Sequence, residues 1–177
     1  MLYRRIQTAG ACYFFTHVIA DRTIPLLTEH IDLLRQAFQQ VKRRYPFKLH
    51  ALVVMPDHFH CLLELPAGDC RYPLRFMLIK MLFSRALQRL MHVRNSRSNS
   101  KIWQHRYWEH LVRDEQDFCN HLNYIHWNPV KHQLVSAVKE WPFSTFHFYV
   151  AMGWYQAEWG GSEQLQNECN QDAGYGE

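Results

Sequence analysis

FKLHALVVMPDHFHCLLEL, residues 47 to 65, sets the architecture. Two apolar, β-rich halves, 47 to 55 and 58 to 65, flank Pro56-Asp57, which is a turn signal. The stretch therefore reads as a hairpin, closed off by Pro66, Gly68 and Asp69. On a strand, residues i and i+2 point the same way. His58 and His60 share one face, while Phe59 and Cys61 point to the other. Two imidazoles at the head of a core strand are either buried structural side chains or two-thirds of a metal site. The His-x-His pattern alone does not decide between them.

Outward from the hairpin, CYFFTHVIA (12 to 20) is a buried strand. Thr28 is placed to cap a helix running to about Arg44. Ile31, Leu34, Phe38 and Val41 form its apolar face, Lys42, Arg43 and Arg44 suit its C-terminal dipole, and Pro46 stops it. Residues 73 to 93 read as a long helix, apolar nearly all round. Arg71, Arg75, Arg85 and Arg89 fall within about 80° of its arc, which fits either a phosphate-binding stripe or snorkelling arginines. RNSRSNS (94 to 100) is a polar loop. KIWQHRYWEHLV (101 to 112) reads as a fourth strand, whose Trp103, Tyr107 and Trp108 cannot all face one way. Asp114 or Asp117 starts a last long helix that Pro129 ends. The order β-α-β-β-α-β-α predicts an α+β fold, ferredoxin-like in outline, with helices on one face of the sheet.

The chain has 177 residues, 47% hydrophobic and 20% charged, which fits one globular domain with a real core. It divides into a domain at 1 to 160 and a polar, acidic tail at 161 to 177. No apolar run reaches the roughly 18 residues of a membrane span, and no signal-peptide pattern follows MLYRRIQTAG. Cysteines 12, 61, 70, 119 and 169 are scattered, without a CxxC pair. That argues against a zinc ribbon and a disulfide framework and points to a reduced, cytoplasmic setting. Net charge is +4, unevenly spread: residues 1 to 113 carry 18 Lys/Arg against 7 Asp/Glu, and residues 114 to 177 carry 2 against 9. The first part has the charge to meet a polyanion.

HLNYIHWNPVKH (121 to 132) is the second chemical feature. On a helix Tyr124 and Asn128 are neighbours at i and i+4, with His121 on the same stripe. The structural alternatives are a tyrosine packed beside Phe118, Leu122 and Ile125, and an asparagine capping the helix end. The functional reading makes Asn128 an oxygen ligand joining the histidines and Tyr124 an oxygen nucleophile.

Taken together, YRR (3 to 5), YFFT (13 to 16), VVMPDHFHCLLELP (53 to 66), IWQHRYWEH (102 to 110), YIHWNPVKH (124 to 132) and WPFSTFH (141 to 147) resemble the REP-associated tyrosine transposases. These belong to the superfamily of HUH single-tyrosine DNA endonucleases. The likeness spans roughly residues 2 to 160, and the order and spacing of the motifs are highly specific. It implies a single ferredoxin-like (RRM-like) domain with the HUH motif, His58-Phe59-His60, on a central strand. It implies Tyr124 as nucleophile, with His58, His60 and Asn128 holding Mg²⁺ or Mn²⁺. The activity implied is cleavage and rejoining of single-stranded DNA beside REP-type palindromic hairpins, through a covalent 5′-phosphotyrosine. His121 and His126 are candidates for proton transfer. Arg4, Arg5, Lys101, Arg106, Lys131 and His132 are the expected DNA contacts. A monomer is expected, with no membrane partner, although mobile relatives act as dimers. Two positions depart from the family: His105 where Pro is common, and Gln133 where Gly is common. The second asks Gln133 to adopt the glycine's backbone shape.

Two other classes compete. A histidine-triad nucleotide hydrolase needs HxHxH, and Leu62 stands where the third histidine belongs. A non-catalytic RRM-like nucleic-acid-binding or regulatory protein also wants aromatics and basic charge, but has no need of His58, His60, Tyr124 and Asn128 together.

Overall fold

The structure, a computed structural model, describes residues 8 to 90 and 102 to 160. Arg4, Arg5, Lys101 and the acidic segment 161 to 177 lie outside the described residues. Four strands form one sheet: β1 (Cys12–Val18), β2 (Lys48–Val54), β3 (His58–Glu64) and β4 (Trp108–Leu111). The helices are α1 (Leu26–Glu29), α2 (Ile31–Arg44), α3 (Tyr72–Leu90), α4 (Glu115–Lys131) and α5 (Phe146–Ala151), with a 3-10 turn at Val138–Glu140. Strand order is β2-β3-β1-β4, with every neighbouring pair antiparallel. That is the ferredoxin-like arrangement, and it makes β3, the strand with the histidine pair, central.

Register fixes which face the histidines use. Thr16 lies opposite His60 and Phe14 opposite Leu62. A slip of one residue would send both histidines to the other face. On one face Tyr13, Phe15, Phe59, Cys61 and Leu63 pack against Leu34, Phe38 and Val41 of α2 and Phe76, Ile79 and Phe83 of α3. On the other, Phe14, Val53 and Leu62 meet Leu122 and Ile125 of α4 and Tyr149 of α5.

The expectation of helices on one face holds for the crossover helices α2 and α3, and α4 and α5 then cover the opposite face. The reason is in the strands. β1 and β3 are buried at nearly every position, so both faces need cover, as in strands that do not alternate polar and apolar residues.

Four local readings change. Thr28 does not cap α2: its hydroxyl donates to the Pro25 carbonyl in the short α1, and α2 starts after His30. The fourth strand is only Trp108–Leu111, preceded by an isolated bridge from Trp103 to Ile19. Trp103 packs on Phe59 and Phe83, and Tyr107 on His17 and Phe76. Arg75 is no phosphate contact. It is 1% exposed and donates to the carbonyls of Arg71 and Pro46 and to the Asp69 carboxylate. Finally, α4 does not end at Pro129 but runs on to Lys131, because the His132 N–H closes the last turn on the Asn128 carbonyl. Gln133 then takes φ +57°, the left-handed shape that the family resemblance asked of this position.

Candidate active site

The site is built between β3 and α4. Asp114 caps α4 by accepting the Asp117 N–H at 2.8 Å, which fixes where the helix begins. Leu122 and Ile125 seat it on the sheet. Tyr124 and Asn128, one turn apart, then both face the histidine pair. The Tyr124 and His60 ring centroids are 5.4 Å apart, those of His58 and His60 4.9 Å, and those of His58 and His132 5.3 Å. The structure thus brings together His58, His60, Tyr124 and Asn128, with His132 at the margin.

Each histidine is oriented through its Nδ1. The Asp57 carboxylate, which only accepts, takes the His58 Nδ1–H at 2.7 Å, and Arg22 Nε donates to the same carboxylate at 2.6 Å. Burial works against the Asp57 charge, but the hydrogen bonds from His58 and Arg22 hold this carboxyl well below the usual carboxylate range. His60 Nδ1 lies 2.8 Å from Thr16 Oγ1. Burial, and then the charges that His58, His132 and Lys131 can carry, push His60 well below an ordinary imidazole. A neutral His60 that donates Nδ1–H to Thr16 keeps its lone pair on Nε2. Such orientation by an outer partner is what metal-binding histidines require.

What remains unsatisfied decides whether a cation fits. His60 Nε2 and both amide atoms of Asn128 are buried without a well-formed hydrogen bond. The Asn128 amide is close enough to His60 to raise its proton affinity slightly, yet the two do not meet in good geometry. A buried polar group left unpaired costs roughly 1–3 kcal/mol. Two imidazole nitrogens and an amide oxygen are a donor set that a divalent cation satisfies. The residues present therefore fit a metal.

Tyr124 is 3% exposed. Lys131 Nζ lies 3.5 Å from its hydroxyl oxygen and 5.0 Å from its ring centroid. Of the expected DNA contacts, Arg106 and Lys131 are exposed and His132 is half-buried.

The two proton-transfer candidates sit differently. His121 Nδ1 is 2.7 Å from the Asp117 carbonyl, and its ring stacks on His110 at 4.6 Å and meets Phe14 at 4.7 Å. His126 lies about 200° round the helix from Tyr124, among Phe146, Tyr149 and Tyr155, with Nε2 3.0 Å from Thr145 Oγ1. Burial, aided by His147, lowers its pKa to about 3.

A second group of donors, His110, Asp117 and His121, presents ligand atoms within 4.8 Å of one another. Asp117 already accepts from His110 Nε2 at 2.8 Å and from Arg113 N and Nε at 3.0 and 3.2 Å. A cation there would have to displace a guanidinium, so His58, His60 and Asn128 make the better site.

Sequence reasoning missed Thr16 and the role of Asp57 with Arg22. Asp57 had a signal, since it directly precedes His58 beyond the turn proline. Thr16 had none, because its contact depends on strand register.

The profile of the family described as Transposase IS200 like matches residues 11–128. A Haemophilus influenzae protein assigned to the REP-associated tyrosine transposases is 44% identical over 168 residues, covering 93% of this chain and 96% of its own. The REP-associated tyrosine transposase of Escherichia coli K12 is 42% identical over 159 residues, covering 90% of each chain. A solved structure of a REP-associated tyrosine transposase bound to a REP hairpin superposes with a TM-score of 0.82 at 41% identity, covering 92% of both chains. On this profile, these relatives and this shared fold, the chain belongs to the IS200-like transposase family, among the REP-associated tyrosine transposases.

Proposed function

We propose that this transposase cuts and rejoins single-stranded DNA beside REP-type hairpins, using Tyr124 as nucleophile and a divalent cation held by His58, His60 and Asn128. The observation that carries this is the convergence of unsatisfied donors. His60 Nε2 and the Asn128 amide are buried without partners, on the face where Tyr124 stands 5.4 Å from His60. A non-catalytic binding module leaves that arrangement unexplained.

His58, His60 and Asn128 would hold Mg²⁺ or Mn²⁺, which would supply Lewis-acid polarisation of the scissile phosphate. The chain's own residues do the rest. Tyr124 Oη gives up its proton to solvent and attacks phosphorus in line, the P–O3′ bond breaks, and the leaving 3′ oxygen takes a proton from solvent, so the products are a 5′-phosphotyrosine and a 3′-hydroxyl. One phosphodiester replaces another, so rejoining is the same step reversed and consumes no ATP. A tyrosine hydroxyl has an ordinary pKa near 10, and its developing negative charge needs a counter-charge. The Lys131 ammonium, 3.5 Å from that oxygen, supplies one. His121 is turned to Asp117 and His126 to Thr145, so Lys131 is the better placed group. Arg106 and His132 remain DNA contacts in this reading, and α4 packs on its own sheet, consistent with one chain carrying a whole site.

The test is a denaturing gel of a labelled hairpin with single-stranded flanks, incubated with Mg²⁺, Mn²⁺ or EDTA. A metal-dependent protein–DNA adduct is expected, absent in EDTA and absent in Tyr124→Phe. DNA binding with no adduct under any of these conditions would leave only the binding-module reading.

A further inference from the structure

Three partner residues form one row across the sheet. His60 on β3 pairs with Thr16 on β1, and Thr16 pairs with Trp108 on β4. Directly opposed residues project to the same face of a sheet. Trp108 therefore shares the face of His60, and Thr16, the residue between them, touches His60 Nδ1 at 2.8 Å. Neighbouring strands are roughly 4.8 Å apart, so the Trp108 backbone stands roughly 10 Å from that of His60.

The burial along this row is uneven. His60 is 0% and Thr16 1% exposed, while Trp108 is 41% exposed. The other two aromatics of the segment are used in the opposite core, Trp103 on Phe59 and Tyr107 on His17. Among the described residues no ring and no hydrogen-bond partner engages the Trp108 indole. β4 is an edge strand and Trp108 is its first residue. The exposed Arg106 lies two residues before it. A large aromatic face thus lies open beside the candidate cleavage site, with a cation nearby in the chain.

The geometry points to Trp108 as the stacking platform for an unpaired base that flanks the phosphate attacked by Tyr124. This rests on the function proposed above and specifies how the single strand is held. Every base offers a π-face, so stacking grips a strand without reading a hydrogen-bond code. Arg106 supplies the charge that draws the backbone to this edge.

The experiment is fluorescence anisotropy of a labelled hairpin with one single-stranded flank, in EDTA so that nothing is cut. Wild type is compared with Trp108→Ala, Trp108→Leu and Trp108→Phe, each first checked by thermal melting. Leu keeps bulk without a π-face, and Phe keeps the π-face. The same proteins are titrated with flanks carrying one abasic site, moved a position at a time. Ala and Leu are expected to weaken binding about tenfold, by the usual worth of one stacked base, with Phe within about threefold of wild type. One abasic position should cost the wild type the same factor and cost Trp108→Ala nothing further. Equal affinity for wild type and Ala, or an abasic penalty that is always the same in both, overturns the inference and leaves the proposed function standing. Failure of wild type to bind any flanked hairpin overturns both.

Discussion

His17 and His60 sit on adjacent strands, and both are 0% exposed. His17 lies on the α2/α3 face among the rings of Phe59, Phe76 and Tyr107, at 5.1, 4.2 and 4.5 Å. His60 lies on the α4 face, with Thr16 on Nδ1 and with His58, Asn128 and Tyr124 around it. Residue type and burial are the same, so neither can be what makes a ligand. The difference is the neighbourhood. One imidazole fills a cluster of rings. The other is aimed by a hydroxyl toward the Asn128 amide, whose two polar atoms are buried without a well-formed hydrogen bond.

The sharpest way to break this contrast is to remove each histidine in turn. His60→Leu should lower single-turnover cleavage by about 1,000-fold and abolish Mn²⁺ binding in calorimetry, because an ion left with one imidazole and an amide is weakly held. His17→Leu should stay within about threefold of wild type in cleavage. Comparable losses in the two variants would end the distinction.

Asn128→Leu separates function from folding. Cleavage should fall about 100-fold, whereas the melting temperature should stay level or rise, since a buried amide without partners gives way to an apolar group of similar size. A clear drop in melting temperature would show that the amide is a structural hydrogen-bonding group. Asp57→Asn tests the layer behind the ligands. It weakens the orienting bond to His58 Nδ1, and Mn²⁺ affinity should fall about tenfold, with DNA affinity in EDTA unchanged.

The smallest effect belongs to His126, far from the ligands. Its folded pKa is depressed to about 3 by burial, while the unfolded imidazole titrates near 6.5. Between those values the unfolded state binds the extra proton, so stability is lost as pH falls through about 6.5 toward 3, with a slope of at most ~1.4 kcal/mol per pH unit from this group. Urea unfolding at pH 7 and pH 5 should show the loss. His126→Gln should flatten the slope by up to that amount, and an unchanged slope would refute the assignment.

Much of the fold was legible because the hairpin at 47 to 65 and the β1 run are continuous apolar strands bounded by Pro, Gly and Asp. The histidine pair, Tyr124 and Asn128 were legible because helix and strand periods alone put each pair on one face. The rest depended on tertiary facts. Arg75 looks like a surface charge until the Pro46 carbonyl, 29 residues away, closes on it. Thr16 becomes a partner of His60 only through strand register. Pro129 looks like a terminator, yet α4 continues to Lys131, and only because it continues does Lys131 reach back over Tyr124.

That α4 brings a single tyrosine beside the histidine pair has a kinetic consequence. Under the proposed chemistry each chain stores one strand end at a time, and its nucleophile is consumed until the stored end is handed to a 3′-hydroxyl. Mixed with excess hairpin, the protein should release free 3′ ends in a burst whose height counts active chains. The rate after the burst then reports how fast the DNA is rejoined or passed on, and not how fast it is cut.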